Sequence, residues 1–465
     1  MKDPILTQHQ RTTRRAALIV ATLTSFLGPF MGSSVNVALP SIGHDFALSA
    51  VLLGWINMAF LLAAAAFPIP FGRLGDIYGR KKIYMTGVVI FTFASVLIAL
   101  AKSGIAVILY RGIQGFGSSM IFATGMAILI SVFAPNERGK VLGINVAAVY
   151  FGLSSGPFIG GIITQHLGWR FIFWLNLPVG LLLLSVIFSM LKGEWAEAKG
   201  AKFDASGSVI LVSSLSLTIY AFSKLPQMYA FALLALGLLG MFFFTIHELK
   251  LKEPLIDVRL FRHNKVFAFS SLAALINYAA TFAVSFLLSL YLQKVRGFSP
   301  QATGIVLVSQ PLVQAFFSPL AGRMSDTIEP RTVASIGMGL SFVGVSLLNF
   351  VNAQTSIYYV VGCLVFLGFG FALFSSPNTK AIMNSVDRKT YGVASAVVGT
   401  MRQVGMTFSM GIVMMILTLH LGPAEIGASN SHEFVNSMRI SFSVFAVMCF
   451  AGIFASLARG RLKKE

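Results

Sequence analysis

Long uninterrupted apolar runs are the feature that most constrains what this chain can fold into. An α-helix needs about 20 apolar residues to cross the hydrocarbon core of a bilayer, and many runs here reach that length. Spanning strands would alternate polar and apolar residues in segments of about ten, a pattern that this sequence lacks. The sequence therefore predicts an all-α polytopic membrane protein with fourteen spans; twelve or thirteen remain alternatives because some runs are weak or long. The predicted spans are residues 17–38, 51–72, 83–101, 105–132, 141–165, 169–191, 205–225, 229–248, 267–292, 301–324, 332–351, 355–384, 392–419 and 437–457.

The composition agrees with lipid exposure. Only 11% of the 465 residues are charged and 56% are hydrophobic, whereas a soluble protein has about a quarter of its residues charged. Cys363 and Cys449 both lie in apolar runs, which indicates neither a disulfide framework nor a cysteine metal site. The first apolar run follows Arg15 and is too long for a signal-peptide core, so it is predicted to be a retained helix.

The formal net charge of +19 is explained by topology. If the N-terminus lies inside, the inner segments hold 27 of the 35 Lys and Arg residues, as the positive-inside rule requires. An even number of spans returns the C-terminus to the same side. We therefore expect a multi-pass protein of the inner or plasma membrane with both termini cytoplasmic, whose basic loops contact an anionic leaflet rather than nucleic acid.

The chain also contains an internal repeat. "FGRLGD" at 71–76 recurs as "AGRMSD" at 321–326, and "GFG" at 115–117 recurs at 368–370. A weaker pair is "DFALSA" at 45–50 and "GFSPQA" at 297–302, with nearly the same spacing. These matches predict two related six-helix halves with two inserted spans, an architecture of transporters with a substrate site near the midplane. The predicted units are residues 1–191, the inserted helices and connection at 192–266, and residues 267–465.

Four motifs occur in order along the first half. They are "GRLGDIYGRKK" (72–82), "LYRGIQGFGSS" (109–119), "GLSSGPFIGG" (152–161) and "WRFIFWLNLPVG" (169–180). On these motifs the chain resembles the major facilitator superfamily, and its fourteen-helix drug:proton antiporter branch in particular. The resemblance implies a major facilitator fold of two pseudo-symmetric six-helix bundles plus two central helices. It also implies a secondary transporter that exports amphiphilic small molecules by alternating access, with the proton as a candidate coupling ion.

The loop between spans 2 and 3 concentrates charge in a chain that otherwise avoids it. Its cations fit the positive-inside rule, but Asp76 is an anion where cations are favoured. The resemblance implies that Asp76 interacts with a helix N-terminus and nearby cations, closing the inner side in the outward-open state. A plain positive-inside loop is the alternative, although it leaves Asp76 and its second copy at Asp326 unexplained. The predicted gating residues are Gly72, Arg73, Asp76, Gly79, Arg80 and Lys81, with Gly322, Arg323 and Asp326 in the second half.

The span 5 motif has a bare stripe of glycines. Gly152, Gly156 and Gly160 recur every four residues, so they share one helix face and allow close approach of another helix. Pro157 removes one backbone hydrogen bond and favours a kink. Ordinary small-residue packing is one interpretation; the resemblance implies instead that this segment, with Gly161, bends near the interface between the halves during alternating access.

The chain departs from the branch in span 1. The branch usually carries an acidic residue there, but "FMGSSVNVALP" (30–40) has Met31 in its place. All sixteen carboxylates and all seven histidines fall outside the predicted spans or at their ends. Proton relays and sites for lipophilic cations commonly use such groups within the membrane. Their placement argues against coupling through a buried carboxylate and leaves Asp76 and Asp326 as candidates.

Two arginines, by contrast, lie at membrane depth. Arg111 in span 4 and Arg402 in span 13 have Gln114 and Gln403 as polar neighbours in sequence. A guanidinium at the bilayer centre costs ~3 kcal/mol or more, so each should face the bundle interior or a water-filled cavity. Each arginine either makes structural bonds to carbonyls and waters or attracts an anionic group of a substrate.

Other polar residues at membrane depth could line the same cavity, although sequence alone does not separate cavity-facing from helix-packing positions. They are Asn57, Asn145, Tyr150, Asn277, Tyr278, Gln310, Gln314 and Asn378.

The functional prediction is therefore a monomeric secondary transporter of small amphiphilic molecules. One alternative keeps the fold but takes an anionic or lipid-like substrate without coupling through a membrane carboxylate. A second alternative is a non-transporting receptor or scaffold, which the duplicated loop motif disfavours because a static scaffold needs no gate. No nucleophile–base pair, metal-ligand spacing or Walker A sequence is present, so no catalytic residue, cofactor or metal is predicted.

Overall fold

The computed structural model describes residues 8–134, 137–251, 254–255, 258–386, 391–422 and 424–460. Within these ranges all regular structure is helical. Thirteen helices are long and apolar enough to cross a membrane, and a further pair bent by 44° makes a fourteenth span. The prediction of an all-α membrane protein is confirmed.

The fourteen spans are numbered here α1 to α14. The first half contains α1 (Gln8–Phe46), α2 (Ala50–Ala66 and Pro68–Tyr78), α3 (Arg80–Ala99), α4 (Gly104–Val132), α5 (Arg138–His166) and α6 (Arg170–Ser189). The inserted pair is α7 (Ala205–Lys224) and α8 (Met228–Lys250), followed by a short helix at Arg259–His263. The second half contains α9 (Lys265–Val295), α10 (Pro300–Thr327), α11 (Pro330–Leu348), α12 (Ile357–Asn384), α13 (Tyr391–Leu421) and α14 (Ser431–Ala458).

Several helices extend well beyond the apolar runs that predicted them. Span 1 was expected over 17–38, but α1 runs from Gln8 to Phe46. An apolar run marks only the part of a helix that lies in hydrocarbon, whereas the helix continues until its backbone hydrogen bonds are interrupted. Here the interruption is abrupt: Ala47 has a positive φ of 50°, and the Ser49 side chain accepts a hydrogen bond from Leu52 N to cap α2.

The inserted helices form a tight pair. Gly237 and Gly240 of α8 lie directly against Thr218 and Ser214 of α7, where a Cβ atom would collide with either hydroxyl. The ends are joined by Asp204, which caps α7 and lies 3.0 Å from His247 Nε2 on α8. These contacts hold α7 and α8 together as a helical hairpin.

The hairpin touches both halves of the molecule. Tyr220 of α7 packs on Trp55 of α2, with ring centroids 5.7 Å apart. Phe222, half a turn further on, makes an edge contact at 5.0 Å with Phe408 of α13. Much of α8 presents exposed large apolar side chains such as Phe242, as a lipid-facing helix does. The division into three units stays a prediction, but the inserted pair lies at the joint between the first and second halves.

The two halves meet most closely at one end of the bundle, which we call the far face: the end where α1 stops and α2 starts. The opposite end, where α1 begins and α14 stops, is the terminal face. At the far face Ser289 Oγ donates to Asn36 O at 2.6 Å, and Gln293 Nε2 donates to Val37 O at 2.9 Å. Gln301 N donates to Gln165 Oε1 at 3.2 Å. These bonds join α9 and α10 to α1 and α5.

Candidate functional site

Arg402 lies at the centre of the molecule on α13 and is half-buried. Its guanidinium carbon is 5.1 Å from the centroid of the Tyr278 ring on α9. Its Nε is buried without a hydrogen-bond partner, and no other side-chain nitrogen of Arg402 has a hydrogen bond or ion pair within the described residues. A cation over an aromatic face is favourable by about 0.5–2 kcal/mol, which only partly offsets a charge held at membrane depth.

Tyr278 connects this arginine to further aromatic rings. Tyr278 makes an edge contact at 5.2 Å with Phe371 of α12. Tyr150 of α5, in the other half, lies within electrostatic range of Tyr278. Tyr278 therefore contacts Arg402 directly, whereas Tyr150 lies near Tyr278 from the other half. A flat apolar body with an acidic or polar group would match this combination of ring faces and an unsatisfied cation.

Arg111 occupies a different environment. It is 1% exposed and is buried within the first half. Its Nε donates a hydrogen bond to Ile56 O at 3.2 Å, and its Nη1 donates to Gln114 Oε1 at 2.6 Å. Its guanidinium carbon lies 4.3 Å from the Phe60 ring centroid. Gln114 in turn donates to Ser95 Oγ at 2.7 Å. The geometry fits the structural interpretation for Arg111 and leaves Arg402 as the arginine at the interface.

The predicted asparagines mainly connect helices. Asn57 donates to Asn36 of α1 at 2.6 Å, and Asn145 accepts from Ser25 of α1 at 3.0 Å. In the second half, Asn277 Nδ2 lies 3.2 Å from the sulfur of Met338, and Asn378 Nδ2 donates to the Ser270 carbonyl at 3.1 Å. All four side chains are at most 3% exposed.

Gln310 and Gln314 behave differently from the asparagines. They are one turn apart on α10, which packs against α5 of the other half. Both are more than nine-tenths buried, yet neither side-chain amide makes a hydrogen bond within the part of the chain that the structure describes. Gln403 Oε1 is likewise buried without a partner. These amides have donor and acceptor capacity to spare for a ligand between the halves.

The loop after α2 is held by an ion-pair cluster at the terminal face. Arg80 Nε donates to Asp76 Oδ1 at 2.8 Å, and its terminal nitrogens donate to the two Glu197 oxygens at 2.7 and 2.9 Å. Arg80 also donates to Ser131 Oγ of α4 at 2.7 Å. Asp76 and Arg80 are therefore in contact, and the loop is tied both to α4 and to the segment after α6.

That segment was missed by the sequence analysis. Gly79 has a φ of 117°, and Glu194 occupies the space where a side chain at Gly79 would lie. Glu194 Oε1 accepts from Lys81 N at 2.8 Å, and Trp195 O accepts from Arg80 N at 2.9 Å. Hydrogen bonds from Arg80 outweigh partial burial and hold the pKa of Glu197 below its usual value. The sequence feature that could have indicated this contact is the pair of acids in "GEWAE" (193–197), because the other charged residues predicted on this face are mostly cations.

The second copy of the loop motif is built more simply. Asp326 forms an ion pair with Lys380 of α12, and Lys380 Nζ also donates to Ser325 O at 2.9 Å. Arg323 is exposed, and Gly322 lies beside Ser376. In the first copy Gly72 lies beside Ala123, and Arg73 makes polar contacts of its own.

The glycine stripe of α5 faces α1 within the same half. A Cβ on Gly152 would strike the Phe26 carbonyl, one on Gly156 would strike Ser33, and one on Gly160 would lie 2.7 Å from Ser34 Cβ. Ser34 Oγ donates to the Gly156 carbonyl at 2.9 Å. The stripe therefore permits close packing of α1 and α5.

The other side of the same motif reaches the second half. A Cβ on Gly161 would lie 2.6 Å from the Pro300 carbonyl, and one on Gly304 of α10 would strike the carbonyl of Pro157. The proline lies within one continuous helix. Pro157 and Gly161 are thus at the far-face contact between the halves, where the backbones of α5 and α10 touch.

Another buried arginine escaped the sequence analysis. Arg459 was counted only among the basic residues assigned to the inner side, but it is 1% exposed. Its Nη1 donates to Asn378 Oδ1 at 3.0 Å and to Ser270 Oγ at 3.3 Å. The contacts join the end of α14 to α12 and α9 at the terminal face; its position among other basic residues concealed this role.

One group in the inserted hairpin has the spacing of metal ligands, which the sequence analysis did not anticipate. Ligand atoms of Asp204, His247 and Glu248 lie within 4.8 Å of one another. Burial opposes ionisation of Asp204, but hydrogen bonds from Gly207 N, Ser206 and His247 outweigh it and lower the pKa of the carboxyl. The Asp204–His247 pair accounts for this arrangement as a bond between α7 and α8.

The fold is that of a multi-pass membrane protein built from two helical halves. The chain belongs to the Major Facilitator Superfamily, whose family model matches residues 21–256 and 270–465. It is a multi-pass transporter and not an enzyme.

Comparison with known proteins gives similar chains that match over most of their length. The chain is 30% identical over 442 residues to the riboflavin transporter RibZ of Clostridioides difficile, covering 94% of this chain and 95% of that one. It is 29% identical over 415 residues to the multidrug resistance protein Stp of Mycobacterium tuberculosis, covering 88% and 77%. The crystal structure of a D-xylose-proton symporter superimposes with a TM-score of 0.68 at 16% identity, covering 97% and 98%. The last similarity concerns the fold alone.

Proposed function

We propose that this transporter exports amphiphilic small molecules from the cytoplasm by alternating access. The observation that supports this most directly is Arg402, which lies over the Tyr278 ring without a carboxylate partner among the described residues, with Tyr150 of the other half within electrostatic range of Tyr278. Ring faces, an unsatisfied cation and spare amides at Gln310 and Gln314 suit a ligand with a flat apolar body and polar substituents. Relatives named as multidrug resistance proteins and as a riboflavin transporter are consistent with such ligands.

The direction follows from charge and contact. The cations around Arg80 lie at the terminal face, and the positive-inside rule assigns this face and both termini to the cytoplasm. The far face, closed by the α5–α10 and α1–α9 contacts, is then external. In this assignment the contacts between the halves close the external side, which is one of the two states that alternating access requires.

A second candidate is narrower: the substrate carries an acidic group. Arg402 is a permanent cation that lacks a carboxylate partner within the described residues. An anion brought against it would satisfy the buried Nε. An inside-negative membrane would also drive anion export by about 2.3 kcal/mol per charge per 100 mV. Such export does not need a membrane carboxylate.

Proton coupling, if it operates, would use the acids of the terminal face. Asp76 is paired with Arg80, and Asp326 with Lys380. A proton arriving at either carboxylate would release its cation, which gives both loops a way to respond to protonation. Asp76→Asn and Asp326→Asn variants should then lose dependence on the pH gradient while retaining ligand binding.

A thermal-shift screen on the purified protein tests the proposal. It compares naphthalene-2-sulfonate with the neutral 2-naphthalenemethanol and the cationic 2-naphthylmethylammonium, in the parent and in Arg402→Gln. Arg323→Gln, an exposed arginine of the second loop motif, is the matched control. Stabilisation by the anion that is lost only in Arg402→Gln supports an acidic substrate, and equal stabilisation by all three supports broad amphiphile export. No stabilisation by any of them contradicts the proposed site.

A further inference from the structure

A cavity at the far face is separate from the central site. It has a volume of about 590 Å³, within the range of about 300–1,000 Å³ of small-molecule sites. The ends of α1, α5 and α6 form one wall, and the end of α9 with the start of α10 forms the other. The walls belong to different halves, so the cavity exists in this form only while the far face is closed.

The side chains around the cavity combine aromatic surface with positive charge. Trp169, Trp174 and Phe298 line it, together with Arg170 and Lys294. The Arg170 guanidinium lies 4.3 Å from the Trp169 ring and donates to Asp45 Oδ2 at 2.8 Å. Trp169 Nε1 donates to the same oxygen at 2.9 Å. Asp45 therefore neutralises Arg170, but Lys294 has no ion pair or hydrogen bond from its ammonium group within the described chain.

A buried hydroxyl also lacks a partner at this cavity. Thr164 of α5 lines it, is 6% exposed, and its Oγ1 has no hydrogen-bond partner. Leaving a buried polar atom without a hydrogen bond is unfavourable. Thr164 and Lys294 come from opposite halves and line the same cavity, so both offer donors to an acidic group bound there.

We propose that this cavity is a second ligand site, which takes an anionic amphiphile with an acidic head and a flat or acyl apolar body. The acidic head accepts from Lys294 and Thr164, while the apolar body lies against Trp169, Trp174 and Phe298. Because the ligand contacts both halves, it holds the far face closed. A free organic acid and an anionic lipid headgroup share this chemistry. The effect on the far face rests on the proposed alternating access, whereas binding itself does not.

Binding is measured through the two tryptophans of the cavity. A Trp55→Phe/Trp195→Phe background leaves Trp169 and Trp174 as the only tryptophans of the chain. Naphthalene-2-sulfonate and dihexanoyl phosphatidylglycerol are titrated separately, with 2-naphthalenemethanol as the neutral control. We expect saturable changes in tryptophan emission with the anions, at least about tenfold tighter than with the neutral probe, as expected for a charge-assisted bond.

The variants separate this cavity from other binding. Lys294→Gln and Thr164→Val should each weaken anion binding by about tenfold or more. Thr164→Val removes an unsatisfied hydroxyl with little change in shape, so the variant should fold normally. Lys102→Gln, an exposed lysine of the same face outside the cavity, should leave binding unchanged. Equal loss in Lys102→Gln, or no loss in either cavity variant, would overturn the site. A response to only one probe identifies the source of the acidic head.

The conformational effect has its own test. Thr303 of α10 is 0% exposed and precedes Gly304, which lies against Pro157 of the other half, so Thr303→Cys should react with a membrane-impermeant thiol reagent only when the far face opens. The native Cys363 and Cys449 are buried, and the parent gives the background. Naphthalene-2-sulfonate should slow labelling at Thr303→Cys about tenfold, and not in a Thr303→Cys/Lys294→Gln variant. Unchanged labelling overturns the closing effect. If no labelling occurs even without ligand, alternating access fails while the binding result stands.

Discussion

Glu197 accepts hydrogen bonds from both terminal nitrogens of Arg80, at 2.7 and 2.9 Å. The pair fixes the segment after α6 to the start of α3, beside the Asp76 loop that the family resemblance associates with gating. The carboxylate of Glu197 remains 66% exposed, whereas Arg80 is 10% exposed. The contact is therefore an ion pair between an exposed carboxylate and a buried arginine.

Replacing Glu197 should release the segment after α6 from Arg80 without unfolding the protein. Glu197→Gln keeps the shape but removes the charge, and exposed ion pairs contribute about 0–1 kcal/mol. We expect faster proteolytic cleavage within residues 192–202 and a decrease of unfolding free energy below about 1 kcal/mol. The matched control is Glu425→Gln, an exposed acid in the loop before α14. Equal cleavage of both variants and the parent would show that the pair holds nothing in place.

Acidification should have the same effect through titration. The pKa of Glu197 is lowered in the folded protein from an ordinary value of 4.5, chiefly by its bonds to Arg80. The stabilisation is therefore complete above the ordinary value and is lost as the pH falls through the lowered one. In a variant that retains Trp195 as its single tryptophan, emission should shift to longer wavelength over that range. Glu197→Gln should already show the shifted emission at neutral pH, and an identical pH profile in both proteins would contradict the assignment.

Arg111 and Arg402 should differ sharply when truncated. Arg111→Ala removes a fully enclosed side chain with bonds to Ile56 O and Gln114, so it should destabilise by about 2–4 kcal/mol. Arg402→Ala removes a cation that has only a ring contact, so the change should stay within about 1 kcal/mol while anion binding at the central site is lost. Unfolding of both variants in detergent, with anion titration, gives the comparison. Equal destabilisation would place Arg402 in the structural role as well.

Closure of the far face should depend on one glycine. A Cβ at Gly304 would strike the Pro157 carbonyl, so Gly304→Ala should force α5 and α10 apart. In a Thr303→Cys background, thiol labelling should become about tenfold faster, corresponding to about 1.4 kcal/mol against the closed state. Gly339→Ala on α11 is the control, because no atom lies within 4 Å of the added Cβ. Unchanged labelling in Gly304→Ala would mean that the contact adjusts without opening.

The sequence predicted the helices well because each span carries its own signal. Apolar length identified fourteen segments, and the fourteen spans of the structure, one of them a bent pair, correspond to them. The helix ends were less accurate: polar residues such as those at 8–16 continue the helix of α1 without contributing to hydropathy.

The environment of a polar side chain was harder to predict, since it depends on how each helix is rotated. Arg111 and Arg402 are both arginines in apolar spans beside a glutamine, yet one is enclosed in its half and the other lies at the interface. Glu194, Glu197 and Arg459 were overlooked because loop and tail charges look alike until their partners are known. The far-face cavity has no sequence signature, as its walls come from helix ends more than a hundred residues apart.

The hairpin of α7 and α8 has a mechanical consequence. Tyr220 contacts the first half at Trp55, and Phe222 contacts the second half at Phe408. The two helices of the hairpin are tightly packed against each other. If the halves rotate, the hairpin cannot follow both, so one aromatic contact must slide. The exposed apolar side chains of α8 face the lipid acyl chains, so the thickness of the surrounding bilayer should affect how easily the hairpin moves against either half. We therefore expect the transport rate in reconstituted vesicles to vary with the acyl-chain length of the lipid. The same rate at all chain lengths would show that movement of the hairpin does not limit transport.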